Sequence, residues 1–421
     1  MTAPLDAFWS VLLAFVFWYP LFMSYLWMLG AALFYWRFER PEPAWDHPPE
    51  LARSPPISVL VPLYNEEENA EETLTQALAL DYPEFEVIAV NDGSKDGTGA
   101  VIDRLAALHP RLKAVHLAQN QGKAMGLQAA CLLARHELLL CIDGDALIDR
   151  HAARWMVRHF VEDPHVAAVT GNPRIRNRST LIGRVQVGEF SSIVGIIKRA
   201  QRIFGRIFTV SGVIGAFRKA AIHDVGYWSP DVMTEDIDIT WKLHRAGWEV
   251  RFEPRALIWI LMPETLRGLW KQRLRWAMGG AQVLLKNLHL LLHPRRSYLW
   301  PLLVEMVASL AWAYAMLLLT LAWVVSPFLP AGAAPVTSSP LSPAGGGMML
   351  GATCLLQFVF SWWLDSRYDR GLGRNLFWMI WYPVVFWIIN SVSTVWALPK
   401  VLVRGRGARA RWVSPDRGFR P

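Results

Sequence analysis

The run from Phe8 to Trp36 limits the fold of this chain more than any other segment, because it is almost wholly apolar and carries no charge. In lipid every backbone N–H and C=O must be satisfied internally, so such a run spans as a helix. About 20 residues cross a bilayer, and this stretch crosses with some to spare. It is too long for a signal-peptide core, and no small-residue cleavage site follows it. Arg37 and Arg40 come directly after it, while only Asp6 precedes it. The positive-inside rule then places the N-terminus outside and the next domain in the cytoplasm.

Hydrophobic character returns after Ser297. Leu299 to Leu329 reads as a span with Glu305 inside it, followed by a Gly/Pro/Ser loop from Pro330 to Gly347. Met348 to Leu364 is a second span, and Leu376 to Leu398 a third, interrupted by Pro383. Three crossings after a cytoplasmic domain leave the chain end outside. That end is basic: from Lys400 onward, seven basic residues and one acid carry +6 of the chain's +8. Crossing count and charge rule conflict, so either one segment lies in the interface or Pro383 marks a break in a re-entrant element. A polybasic segment beside a membrane fits this charge distribution, and nucleic-acid binding fits it poorly. The 22 Trp suit membrane interfaces. Cys131, Cys141 and Cys354 show neither metal-ligand spacing nor a disulfide framework, so buried free thiols are expected.

Between the hydrophobic blocks the pattern changes. A Pro-rich linker covers 41–56, and then short apolar strands alternate with helices: Ile57 to Leu63, Glu67 to Leu80, Glu86 to Asn91, a helix through Ala107, Lys113 to Leu117, Gly122 to Ala134, and Leu138 to Ile142. This alternation predicts a parallel sheet with right-handed crossovers, a Rossmann-like α/β domain over 57–263. Ligands of such sheets bind beyond the carboxyl ends of the strands. The remaining divisions are a membrane helix over 1–40, an amphipathic interfacial region over 264–297, membrane or interfacial helices over 298–403, and a basic tail over 404–421.

The chemistry-bearing motifs fall at those strand ends. Asp92, in Asn91-Asp-Gly-Ser94, is placed to accept hydrogen bonds from a base or ribose, although Asp-Gly also forms turns. Asp96 reads as a helix cap. Asp143-Gly-Asp145 sets two carboxylates around a glycine, which suits Mg²⁺ or Mn²⁺ shared with substrate phosphates. Thr234-Glu-Asp236 opens a helix from Ile237 to Ala246. Thr234 is either its N-cap, or the triplet supplies Asp236 as a general base, with Asp238 continuing the acidic cluster. Leu266, Leu269, Trp270 and Leu274 fall on one helical face, opposite Arg267, Lys271 and Arg275. That helix is either a plain interfacial anchor or a site element. Its Gln272, Arg273 and Arg275 offer donors for a diphosphate, and Trp276 a face for a sugar ring.

In their order, Asp92, Asp143-Gly-Asp145, Thr234-Glu-Asp236 and Gln272-x-x-Arg275-Trp276 resemble the signature of membrane-bound processive glycosyltransferases of family 2, which include cellulose, chitin and hyaluronan synthases. Phe208 to Ile214, Gly226 to Ser229, Ile260 to Trp270 and Arg409 to Arg417 look like a bacterial branch whose product is a β-1,6-linked N-acetylglucosamine polymer of the biofilm matrix. The resemblance runs from about Phe17 onward. It implies a GT-A fold, UDP-N-acetylglucosamine as donor, inversion at the anomeric carbon, and export of the growing polysaccharide across the bacterial inner membrane. It assigns Tyr64, Asp92, Lys123, Asp143, Gln272, Arg273 and Arg275 to the donor, Trp276 and Glu235 to the acceptor, Asp143 and Asp145 to Mg²⁺ or Mn²⁺, and Asp236 to catalysis. Relatives often carry one more N-terminal span, which implies a small membrane partner here. The tail is too short for a cyclic di-GMP barrel, so control by that nucleotide would act through a partner. The alternatives are a chitin- or hyaluronan-like product, single transfer to a lipid carrier, or a noncatalytic membrane scaffold.

Overall fold

The computed structural model describes residues 3–329, 346–382, 386–404 and 409. Most of the Gly/Pro/Ser loop, Pro383, and the basic tail beyond Arg404 apart from Arg409 lie outside these residues. Helix α1 (Ala3–Phe34) forms from the first apolar run and continues through a π-helical turn, Tyr35–Glu39. After the linker, β1 (Ile57–Leu63), α2 (Glu67–Leu78), β2 (Phe85–Asn91), α3 (Thr98–Leu108), β3 (Leu112–His116), α4 (Lys123–Leu133) and β4 (Leu138–Ile142) alternate as the sequence predicts. β1 pairs in parallel with β2 and β4, and β2 with β3. Every residue of β1 and β2 is buried, the burial expected of parallel strands covered on both faces.

Beyond β4 come β5 (Leu147–Ile148), α5 (Ala152–Glu162), β6 (Val166–Ile175), α6 (Leu181–Glu189), a π-helical stretch at Phe190–Gly195, α7 (Ile196–Phe204), β7 (Ile214–Arg218), α8 (Lys219–Asp224), α9 (Glu235–Arg245) and β8 (Glu249–Ile260). The sheet order is β3-β2-β1-β4-β7-β6-β8-β5. The parallel expectation holds through β4 and fails after it, because β7 runs antiparallel to both β4 and β6. The chain leaves β6, makes its excursion through α6 and α7, and re-enters from the same end, so β7 must run back along β6.

The C-terminal part consists of α10 (Leu266–Asn287), α11 (Trp300–Val325), α12 (Gly346–Asp365), a 3₁₀ segment at Leu372–Trp381, and α13 (Trp387–Val403). Among the described residues, three helical stretches are long and apolar enough to cross a membrane: Asp6–Glu39, Pro294–Phe328 and Gly346–Asp365. The expected third span from Leu376 to Leu398 falls on the 3₁₀ segment and a helix of 17 residues, Trp387–Val403, with Pro383 outside the described residues. Asp365, at the end of α12, pairs with Arg174 and Arg199 of the sheet domain. Met379 lies against Gly188 on α6, and Trp387 stacks on Trp312 partway along α11, with centroids 5.2 Å apart. Arg404 then reaches the Met233 sulfur, and Arg409 reaches Gln121. The segment therefore leaves the sheet domain and returns to it at Arg404 and Arg409.

One buried ion cluster fastens these parts together. The fully buried Arg199 on α7 sits 2.5 Å from Glu39 and 2.9 Å from Asp365, and Tyr368 donates a 2.7 Å hydrogen bond to Glu39. The ends of α1 and α12 are thus tied to the sheet domain at a single point. Cys131 and Cys141 are buried free thiols, while Cys354 is half-buried.

Candidate active site

The carboxyl ends of β1, β2 and β4 open onto one cleft. Tyr64 follows β1 and is half-buried. Asp92 follows β2 and is fully buried, with its two oxygens accepting N–H bonds from Gln121 at 2.7 Å and Gly122 at 2.8 Å. Burial pushes its pKa up, and those two donors pull it back. In this structure Asp92 shapes the loop that leads into Lys123. Gly93, at φ +66°, makes that fit possible, because a Cβ there would stand 2.4 Å from the Gln119 backbone. Asp96 is not the cap that the sequence predicts: Gly97 holds the N-cap position, and Asp96, one residue before it, accepts from Thr98 N at 3.1 Å.

Lys123 is the centre of the site. Its ammonium lies 2.5 Å from Asp143 Oδ1 and 3.1 Å from Glu235 Oε1, and it donates to the Gly212 carbonyl at 2.9 Å. Burial alone would depress its pKa, but Asp143 and Glu235 hold it well above the usual lysine range. Glu235 is buried too, yet Lys123 and Arg275 outweigh that burial and keep its carboxyl below the usual value. Its neighbour Asp236 behaves oppositely. Burial first, and then the Glu235 charge, push it up to about 6. Its Oδ2 accepts the Gly212 N–H at 3.0 Å. Two adjacent carboxylates are thereby driven apart, Glu235 below the usual range and Asp236 up to about 6.

Thr234 stands at the N-cap position, but its side chain makes no capping bond, and its hydroxyl is buried without a hydrogen-bond partner. The reason is α10, which crosses the start of α9 here. A Cβ on Gly279 would lie 2.1 Å from Thr234 Oγ1, so only glycine permits this approach. Gly279→Ala is therefore expected to push α10 off α9 and to lower activity about tenfold or more, although alanine favours helix by about 1 kcal/mol. A melting curve beside the activity assay separates displacement from unfolding.

Three residues before Gly279, Trp276 packs near Phe190, with ring centroids 6.4 Å apart. Arg267, Lys271 and Arg275 form the exposed face of α10, as its periodicity predicts. Arg275 is close enough to Glu235 and Asp236 to lower the pKa of both. Gln272 donates weakly to the Met262 sulfur at 3.7 Å, and its buried carbonyl oxygen has no partner. Arg273 is placed apart from this group. It is buried, 2.5 Å from Glu189, and its guanidinium lies 4.6 Å from the Trp276 ring centroid. Sequence reasoning missed Glu189 altogether, because nothing local marks it.

A divalent cation was tested against this geometry. Among the described residues no three His, Cys, Asp or Glu side chains gather into a metal cage. Asp143 and Asp145, at the end of β4, supply only hard oxygen donors, as does the pocket of Asp143, Glu235 and Gly212 oxygens around the Lys123 ammonium. Such a set fits Mg²⁺ or Mn²⁺ that completes its shell with phosphate oxygens.

A nucleotide-type sheet, an acidic pair tuned apart and a donor-bearing helix suit a transferase that takes a nucleotide-bound donor, joined here to helices long and apolar enough to cross a membrane. The chain belongs to the family described as Glycosyltransferase like family 2, which it matches over residues 55–279. It is 40% identical to the poly-β-1,6-N-acetyl-D-glucosamine synthase of Staphylococcus epidermidis over 406 residues, covering 96% of this chain and 98% of the relative. It is 39% identical to the enzyme of the same name from Staphylococcus aureus over 412 residues, with the same coverage. Its fold is similar to that of a mannosyltransferase from Pyrobaculum calidifontis solved with GDP-Man and Mn²⁺, with a TM-score of 0.63, 24% identity, and coverage of 95% of this chain and 99% of that one. This is the GT-A fold.

Proposed function

We propose that the protein is a processive, inverting N-acetylglucosaminyltransferase. It extends a β-1,6-linked N-acetylglucosamine polymer from UDP-N-acetylglucosamine and passes the chain into the membrane. The observation that carries this reading is the 40% identity to a synthase of that polymer, which extends over 96% of this chain and so takes in the membrane helices as well as the catalytic domain. A cavity of about 370 Å³ supports export, since Lys198, Gln201 and Ala277 of the catalytic part and Glu305 and Thr394 of the membrane helices line it together, within a mostly apolar wall.

In the reaction, Asp236 takes the proton from the acceptor hydroxyl as that oxygen attacks the anomeric carbon. The bond to the UDP oxygen breaks with its electron pair, and the configuration inverts. Gln272 and Arg275 stabilise the departing diphosphate. Tyr64 and the loop held by Asp92 accommodate the uridine, while Trp276 and Glu235 hold the acceptor sugar. Asp143 and Asp145 would hold Mg²⁺ or Mn²⁺ against the donor diphosphate, where the ion neutralises developing charge. The mannosyltransferase of the same fold, solved with Mn²⁺, supports this. The membrane is the bacterial inner membrane and the catalytic domain is cytoplasmic, a reading supported by Arg37 and Arg40 after the first span. A small membrane partner, with cyclic di-GMP acting through it, belongs to the same reading.

Membranes carrying the protein, given UDP-N-acetylglucosamine and Mg²⁺, are expected to make a polymer cut by a β-1,6-specific hydrolase and resistant to chitinase. Chitinase sensitivity would overturn the linkage. An organic-soluble product one sugar long would overturn processivity.

A further inference from the structure

Glu189 lies outside the reaction as described, yet it joins three elements around the acceptor platform. From the last turn of α6, Glu189 Oε2 holds the Arg273 guanidinium at 2.5 Å, and both side chains are buried. That guanidinium stands 4.6 Å from the centroid of Trp276, within reach of a cation–π contact. The other Glu189 oxygen accepts from Tyr382 and from Asn390 on α13, each at 3.3 Å. Phe190, the next residue, packs near the same indole. The Trp276 ring is therefore held from one side by Arg273, and Arg273 is held by a carboxylate that is also hydrogen-bonded to Tyr382 and α13.

From this geometry we infer that Glu189 is a positioning residue for acceptor binding: through Arg273 it sets the orientation of the Trp276 ring and links it to the membrane element formed by Tyr382 and α13. The inference rests on Trp276 being the acceptor platform. One guanidinium nitrogen is held by the carboxylate while the group stands within cation–π distance of the ring, which suits this task. Arg273 is then an anchor, and the diphosphate is left to Gln272 and Arg275. Thr394, also on α13, is among the residues lining that cavity, so the same carboxylate is hydrogen-bonded to a helix of the cavity wall.

The test uses the full-length protein in lipid nanodiscs, with UDP-N-acetylglucosamine as donor and a β-1,6-linked N-acetylglucosamine pentamer as acceptor. It reads KM for each, together with polymer length. Trp276→Ala is expected to raise the acceptor KM about tenfold, and an unchanged value would overturn the platform reading and this inference with it. Glu189→Gln should raise the acceptor KM by a similar factor and shorten the polymer, while the donor KM stays within about twofold. In the double variant the two effects should not multiply, because the carboxylate acts only through the ring. Multiplying effects, or an equal rise in both KM values, would overturn the inference. The paired change Glu189→Leu with Arg273→Leu removes both buried charges together, so folding does not depend on the lost ion pair. It should melt like wild type and still make short polymer; full-length polymer from it would overturn the inference.

Discussion

Asp236→Asn should cut polymer synthesis about 10²–10⁴-fold, the usual contribution of a positioned general base. The amide keeps the shape of the side chain and can still accept the Gly212 N–H, which lies 3.0 Å from Oδ2. The loss should therefore appear in kcat, with the donor KM little changed. The pH profile of the unaltered enzyme tests the same assignment. Burial, followed by the Glu235 charge, raises Asp236 to about 6. Only the ionised carboxylate can accept a proton, so kcat should fall as pH drops through about 6 and level off above it. Unaltered synthesis by Asp236→Asn would remove Asp236 from the role of base.

This pair of carboxylates marks how far the sequence can be read. The strands β1 to β4 are legible because each short apolar run is bounded by turn residues, and Asp92 and Asp143 follow from where those runs stop. The direction of β7 is not legible. Ile214–Arg218 has the same local pattern whichever way it enters, and its direction is fixed by the excursion through α6 and α7. Arg273 carries the same limitation: its chemistry suits a diphosphate, but its partner Glu189 stands 84 residues earlier and is recognisable only once the chain is folded. Thr234 has the composition of an N-cap, and the close crossing of Gly279 leaves its hydroxyl without that bond. The sequence poses the question of the basic end without answering it, and the contacts of Met379, Arg404 and Arg409 are all long-range, beyond what a local pattern can show.

Lys123→Met should be nearly as damaging as loss of the base, and its signature should be a displaced pH profile. The lysine ammonium touches Asp143 and Glu235 together, at 2.5 Å and 3.1 Å. A methionine of similar length would leave two buried carboxylates facing one another without their cation. Removing one partner of a buried pair costs about 3–5 kcal/mol, so the melting temperature should fall. The chemical consequence is separate. Lys123 is one of the groups that hold the Asp236 pKa down against burial and the Glu235 charge. Without it the base should stay protonated to higher pH, moving the acidic limb of the kcat profile above its starting point near 6. At pH 7 the variant should lose about tenfold or more in kcat, and raising the pH should recover part of it. A merely unstable protein would lose activity at every pH alike. An acidic limb left in place in a folded Lys123→Met enzyme would show that Asp236 does not feel this lysine, and would detach the base from the cluster that tunes it.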